Sequence, residues 1–111
     1  MKYISTRGQA PELSFEDAML TGLARDGGLY VPAEIPTLSA EDIAGFAGKS
    51  YEEVAFHVMW PYVSGSFSEA EFKEIIAKAY ADFGHAALAP LKQLDGNHLL
   101  LEMFHGPPLA F

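Results

Sequence analysis

Four histidines, at positions 57, 85, 98 and 105, are the residues of this chain best suited to ligate a metal or carry a proton. Zinc-type sites draw on imidazoles, carboxylates and thiolates at short fixed spacings, most tellingly one helical turn apart. No two of these histidines lie three or four residues apart and the chain has no cysteine, so no metal site is expected. His57 sits in an apolar stretch with helical spacing and reads as a partly buried histidine with one satisfied nitrogen, whereas His98, at a strand start, reads as exposed. Adjacent carboxylates at Glu16/Asp17 and Glu52/Glu53 fall in first helical turns, where the helix dipole accounts for them without catalysis. Gly27-Gly28 lacks the strand-to-helix context of a phosphate loop and reads as a helix stop. The segment hardest to explain by packing is Glu102-Met103-Phe104-His105-Gly106-Pro107-Pro108-Leu109-Ala110-Phe111. A strand that exits into a Gly-Pro turn is where α/β enzymes place ligand-binding loops, although an ordinary strand exit has the same spacing.

These residues need elements to position them, and the helix starts are legible. Ser14, Ser39, Ser50 and Ser68 each precede an acid by three residues, Asp17, Asp42, Glu53 and Glu71, the pattern of a serine N-cap with an acidic first turn. The two glutamates fit a capping box best. After Ser50 an apolar stripe of Tyr51, Val54, Ala55, Val58, Met59, Tyr62 and Val63 keeps helical spacing, with Phe56 and Trp60 on a second flank. This predicts the most buried helix, ended or kinked by Pro61 near Trp60. After Ser68 the stripe is Phe72, Ile75, Ile76, Ala79, Tyr80 and Phe83, with Glu69/Lys73 and Glu74/Lys78 outside and Gly84 as the stop. The helix after Ser14 presents Phe15, Ala18, Met19, Gly22 and Leu23 and runs to Asp26-Gly27-Gly28, with a close backbone approach expected at Gly22. A short helix is expected from Ser39 to Ala47, and short extended stretches near Tyr3 and at Leu29-Tyr30-Val31. Asp95-Gly96-Asn97 separates Leu91–Leu94 from His98–Phe104, a hairpin signal in which Asp-Gly supplies positive φ. The second strand is apolar on both faces apart from Glu102, as in a strand covered on both sides. The expected fold class is therefore α+β: a small helical domain with short strands and a C-terminal hairpin.

Size and charge narrow the function. A chain of 111 residues, half of them apolar, supports one ordinary domain. A formal net charge of −8 repels phosphate backbones and anionic headgroups, so neither nucleic acid nor membrane is expected as a partner. No apolar run approaches a membrane span and the start lacks a signal peptide's apolar stretch; a soluble, cytoplasmic domain is expected. The chain stops on an aromatic with no charged tail, which reads as a truncation, and its apolar last strand is a candidate for pairing with another chain, a second copy included.

Glu102-Met103-Phe104-His105-Gly106-Pro107, continuing into Leu109-Ala110-Phe111, resembles the segment of threonine synthases that leads into the lysine holding pyridoxal phosphate. Tyr3-Ile4-Ser5-Thr6-Arg7-Gly8 resembles the family's opening, and Gly22-Leu23-Ala24 with Asp26-Gly27-Gly28-Leu29-Tyr30-Val31-Pro32 its next signature. Three motifs in order across the whole chain make the resemblance specific. It implies an amino-terminal cap domain, residues 1–95, followed by the truncated start of a fold-type II pyridoxal-phosphate catalytic domain, residues 96–111. The family is a lyase of threonine biosynthesis that converts O-phospho-L-homoserine and water to L-threonine and phosphate. By resemblance, His105, Gly106, Pro107 and Phe111 lie near the cofactor in the intact enzyme, and the N-terminal motifs pack against the rest of the catalytic domain. The cofactor lysine would directly follow Phe111; Lys2, Lys49, Lys73, Lys78 and Lys92 do not stand in that motif. The resemblance thus implies no catalytic residue, no bound cofactor and no activity in the fragment alone. Pro108 stands where the family usually has threonine, which removes a hydroxyl and leaves room for a superfamily relative acting on another phosphorylated or hydroxylated amino acid. The competing reading from another class is a non-enzymatic, stand-alone interaction module whose apolar last strand binds a partner.

Overall fold

Serine hydroxyls decide where the helices begin. In the computed structural model, which describes residues 1–107, four helices form: α1 (Phe15–Thr21), α2 (Ala40–Ala44), α3 (Tyr51–Val63) and α4 (Glu69–Tyr80). Ser14, Ser39, Ser50 and Ser68 are their N-caps, each in extended backbone and each accepting from the N–H three residues on. In α2, α3 and α4 the acid completes the box. The N–H of Ser39 donates to Asp42 at 2.8 Å, that of Ser50 to Glu53 at 2.7 Å and that of Ser68 to Glu71 at 2.9 Å. Asp42 closes its box as the two glutamates do, because the shorter carboxylate still reaches the N-cap.

The helix ends depart from expectation. Gly22 is not interior: α1 stops at Thr21, and Gly22 caps it at φ 71° with its N–H bonded to the Ala18 carbonyl at 3.1 Å. No atom approaches within 4 Å of where a Gly22 Cβ would stand, so positive φ and not close packing explains this glycine. Asp26-Gly27-Gly28 is consequently a separate turn after the helix. Pro61 does not end α3, which runs on to Val63. It sits in the last turn, where the missing N–H removes a single bond, and Val63 beyond it is anchored in the core. Helix α4 ends at Tyr80 with Ala81 as cap, short of Gly84.

The core lies between α3 and α4. Phe56 and Val63 of α3 pack with Phe72 and Ile76 of α4, and Trp60, Phe67 and Tyr80 pack around them. Phe56 stacks on Trp60 at 5.3 Å and Phe67 on Phe72 at 6.0 Å between ring centroids. The expected stripes are only partly buried: Tyr51, Val58, Met59 and Ile75 are exposed, as is His57. Helix α3 is covered on its Phe56 flank and not all round, because among the described residues α4 is its main packing partner.

Strand β1 (Tyr3–Ser5) pairs antiparallel with β2 (Tyr30–Pro32), Ile4 opposite Val31. Tyr3 connects this ribbon to the core: its ring packs against Phe15 at 5.8 Å, Phe15 meets Phe67 at 6.1 Å, and its hydroxyl donates to the Tyr62 carbonyl at 3.1 Å. The second ribbon is the expected hairpin, β3 (Leu91–Gln93) antiparallel to β4 (Leu99–Leu101) with Lys92 opposite Leu100. Gly96 does not adopt positive φ. The turn is instead held by the Asp95 carboxylate, which accepts from the N–H groups of Asn97 at 2.9 Å and His98 at 3.0 Å. Leu99, Leu100 and Leu101 are 63%, 46% and 50% exposed, so the strand expected to be covered on both faces is uncovered within this chain. Among the described residues no helix is long and apolar enough to cross a membrane.

The capping carboxylates make helix stability depend on pH. Hydrogen bonds from Ser68 hold Glu71 below its ordinary pKa, those from Ser50 do the same for Glu53 and those from Ser39 for Asp42. A folded-state pKa below the unfolded value means that the unfolded chain binds more protons. The contribution is therefore complete above the ordinary carboxylate range and lost as pH falls through the depressed folded values. Circular dichroism should show helical signal falling on acidification through and below that range, and Glu71→Gln should flatten its share of the response. Ser68→Ala should lower unfolding free energy by about 1 kcal/mol in urea titration.

Candidate functional site

Two clusters gather the residues of the sequence motifs. The first is organised by Asp26, in the turn between α1 and β2. Its carboxylate accepts from the Ser5 hydroxyl at 2.8 Å, from the Gly28 N–H at 2.9 Å and from the Gln9 N–H at 3.0 Å. The Ser5 oxygen also accepts from the Arg7 N–H at 3.1 Å, and Arg7 Nη1 donates to the Asp26 carbonyl at 3.0 Å. Desolvation acts to raise the Asp26 pKa, but hydrogen bonds from Gly28, Ser5, Gln9 and Ala10 together outweigh it and hold the carboxyl below its ordinary value. Gly28 has no room for a side chain, since a Cβ there would collide with Ser5 Oγ and lie 3.0 Å from Thr6 Oγ1. The two N-terminal motifs, residues 3–8 and 26–32, are thus one interlocked unit. An acceptor saturated by structural donors is a poor general base, and the Asp26 carboxylate is engaged in positioning backbone.

The second cluster lies at the exit of β4. His105 and Glu102 are about one-fifth exposed, and His105 Nε2 lies 2.8 Å from Glu102 Oε2. The His105 ring is flanked by Phe104 at 4.7 Å and His85 at 5.0 Å between centroids. Main-chain bonds lay this segment along residues 83–90: Gly84 N–H donates to the His105 carbonyl at 2.8 Å, and Glu102 N–H to the Pro90 carbonyl at 2.9 Å. Gly106 rests on the Phe83 ring, where a Cβ would stand 2.8 Å from Cζ. Pro107 is exposed. Phe111, with Pro108, lies outside the described residues.

The remaining histidines do not join a site. His57 is exposed, its Nε2 3.3 Å from Lys49 Nζ, because Phe56 and not His57 faces α4. His98 is exposed and bonded to Asp95. Among the described residues no three potential metal ligands converge. A cleft of about 540 Å³ on α3 and α4, lined by Phe56, His57, Trp60 and Lys73 among others, is remote from both motif clusters in sequence. Its Glu53 is committed to capping and its Lys73 to Glu69 and the Phe56 ring. Sequence reasoning missed the participation of Phe83, Gly84 and His85. The one available signal was Glu102, a single acid in an apolar strand three residues before a histidine.

Residues 2–80 match the family model for the threonine synthase N terminus. The chain belongs to the threonine synthase family. It is 58% identical to the threonine synthase of Pseudomonas aeruginosa over 111 residues, which is all of this chain and 24% of that enzyme. It is 45% identical to the threonine synthase of Schizosaccharomyces pombe, again over all of this chain and 22% of that one. The crystal structure of a pyridoxal-phosphate-bound threonine synthase from Brucella melitensis superimposes with a TM-score of 0.91 at 54% identity, covering all of this chain and 24% of that chain. The chain therefore spans about a quarter of the length of the threonine synthases it matches.

Pyridoxal phosphate is held by a lysine, so the lysines of the described residues are the groups that bear on it. The exit segment 102–107 contains a fixed imidazole, a glycine and a proline but no lysine. Lys2, Lys73 and Lys78 are paired with Glu12, Glu69 and Glu74 at the surface. Lys49 Nζ lies 3.3 Å from His57 Nε2, and Lys92 stands in β3 opposite Leu100.

The Asp26 cluster makes a direct prediction for stability. Gly28→Ala forces a methyl group into Ser5 and Thr6 and should destabilise the domain by about 1–3 kcal/mol, the usual cost of overpacking. Gly22→Ala meets no steric contact and should cost only what its positive φ imposes. Denaturant titration of the two variants side by side separates the two causes.

Proposed function

We propose that these residues are the N-terminal part of a pyridoxal-phosphate-dependent threonine synthase that converts O-phospho-L-homoserine and water to L-threonine and phosphate. The observation that carries this reading is the 58% identity to the P. aeruginosa enzyme across the entire chain, which includes the Glu102–Pro107 exit segment. In the intact enzyme the cofactor supplies the electron sink for eliminating phosphate and adding water. This chain's share is positional. His105, Gly106, Pro107 and Phe111 flank the cofactor, with Glu102 restraining the His105 ring. The Asp26 unit keeps the N-terminal ribbon in shape for contact with the catalytic body.

The same reading divides the protein into a cap over residues 1–95 and the start of the catalytic domain at 96–111. The apolar side chains of Leu99, Leu100, Leu101, Met103 and Phe104, all exposed here, are then covered by the catalytic body of the same protein. Burying each such side chain is worth about 1.5–3 kcal/mol, which gives this surface a strong tendency to find cover. The substrate is a small amino-acid phosphate ester, and the compartment is the cytoplasm.

The test compares the 111-residue chain with the full-length protein after incubation with pyridoxal phosphate and removal of free cofactor. The full-length protein should retain cofactor absorbance and release threonine and phosphate from O-phosphohomoserine; the 111-residue chain should do neither. Full-length protein that retains no cofactor would overturn the proposal and favour a non-enzymatic interaction module. Retained cofactor with turnover only of another phosphorylated or hydroxylated amino acid would replace the substrate and keep the cofactor.

A further inference from the structure

We infer that Phe83 is a positioning residue that sets the placement of the Gly106 backbone, and with it the His105–Pro107 segment. The inference rests on the proposed function for what that segment flanks. Its geometry is independent of that reading.

Gly106 is not in the positive-φ region. Backbone conformation alone would accept alanine there, so the need for glycine comes from its surroundings. Those surroundings are one side chain: a Cβ at Gly106 would stand 2.8, 3.1 and 3.2 Å from Cζ, Cε1 and Cε2 of Phe83. Carbon atoms do not approach so closely, so either the ring or the backbone would have to move.

The ring is poorly placed to yield. Phe83 is half-buried and packs edge-on against Tyr80 at 5.1 Å. Tyr80 packs edge-on against Tyr51 at 5.0 Å and borders the α3–α4 core. A line of aromatic contacts thus runs from Tyr51 at the start of α3, through Tyr80 at the end of α4, to Gly106. Main-chain bonds restrain the segment leading into the contact, Gly84 N–H to the His105 carbonyl at 2.8 Å and Glu102 N–H to the Pro90 carbonyl at 2.9 Å. Gly84 itself is less constrained, since its Cβ would meet the His105 carbonyl at an ordinary 3.6 Å. The helical core therefore acts on the exit segment through the Phe83 ring, and a methyl group at position 106 must push the segment away from it.

The experiment uses the full-length protein and four variants: Gly106→Ala, Phe83→Ala, the double variant Phe83→Ala/Gly106→Ala, and Phe83→Trp, which enlarges the contact from the other side. Each is measured for thermal melting, for cofactor absorbance and retention, and for kcat and KM separately. Displacement of a positioned segment by a fraction of a side chain should lower kcat of Gly106→Ala by about a hundredfold and alter its cofactor absorbance. The double variant, which makes room for the methyl group, should recover at least about tenfold of that loss and restore the absorbance. If Gly106→Ala does not accumulate as folded protein, Phe83→Trp carries the same expectation of lowered kcat and altered absorbance.

Full activity in Gly106→Ala, or in Phe83→Trp, overturns the inference. So does an impaired Gly106→Ala that the double variant fails to restore, because the methyl group then collides with something other than Phe83. Failure of the unsubstituted full-length protein to retain cofactor is a different result: it overturns the functional reading and removes the inference with it.

Discussion

The packing of α3 on α4 is the interaction on which the rest of this domain depends. Phe56, Val63, Phe72 and Ile76 form its buried centre, and each ribbon is tied to that centre by a short line of aromatic contacts. Tyr3 and Phe15 reach it from the N-terminal ribbon, and Phe83 reaches it through Tyr80 from the exit of β4. Aromatic rings suit this arrangement, because each buries a large area at low conformational cost and edge-to-face contacts favour particular orientations.

Polar groups then fix what the aromatic contacts only bring near. The Asp26 carboxylate binds the first strand, the loop after it and the turn before the second strand into one piece, with Gly28 excluded from bearing any side chain. At the other end, two main-chain hydrogen bonds and the Glu102–His105 pair hold the exit segment against residues 83–90. Both places coincide with segments that the sequence reading singles out by resemblance, and in both the polar side chains are engaged in hydrogen bonds within the chain.

The surface is as informative as the core. The leucines of β4, with Met103 and Phe104, are exposed, and so are Met19, Leu20 and Leu23 around the end of α1. The surface of a small domain always contains apolar atoms, but contiguous leucines on a strand are costly to leave in water. The chain spans about a quarter of the length of the threonine synthases it matches, and these apolar faces are uncovered within it.

The helix starts, the C-terminal hairpin, the extended stretches near Tyr3 and Leu29, and the family were legible in the sequence alone. Serine caps and their acids act over three residues, the hairpin closes through a short turn and the motifs are contiguous, so local chemistry suffices to read them; the pairing of β1 with β2 joins residues 3–5 to residues 30–32 and is a tertiary contact. The passage of α3 through Pro61 and the exposure of His57, Val58 and Ile75 were decided only in three dimensions, by contacts from elsewhere in the fold, whereas α1 ends through Gly22's own positive φ. Val63 is held by α4, and the flank of α3 that is buried is the one α4 happens to meet. The same holds for Gly106. Its sequence context reads as a Gly-Pro turn at a strand exit, whereas the Phe83 ring, twenty-three residues earlier, is what excludes a side chain there.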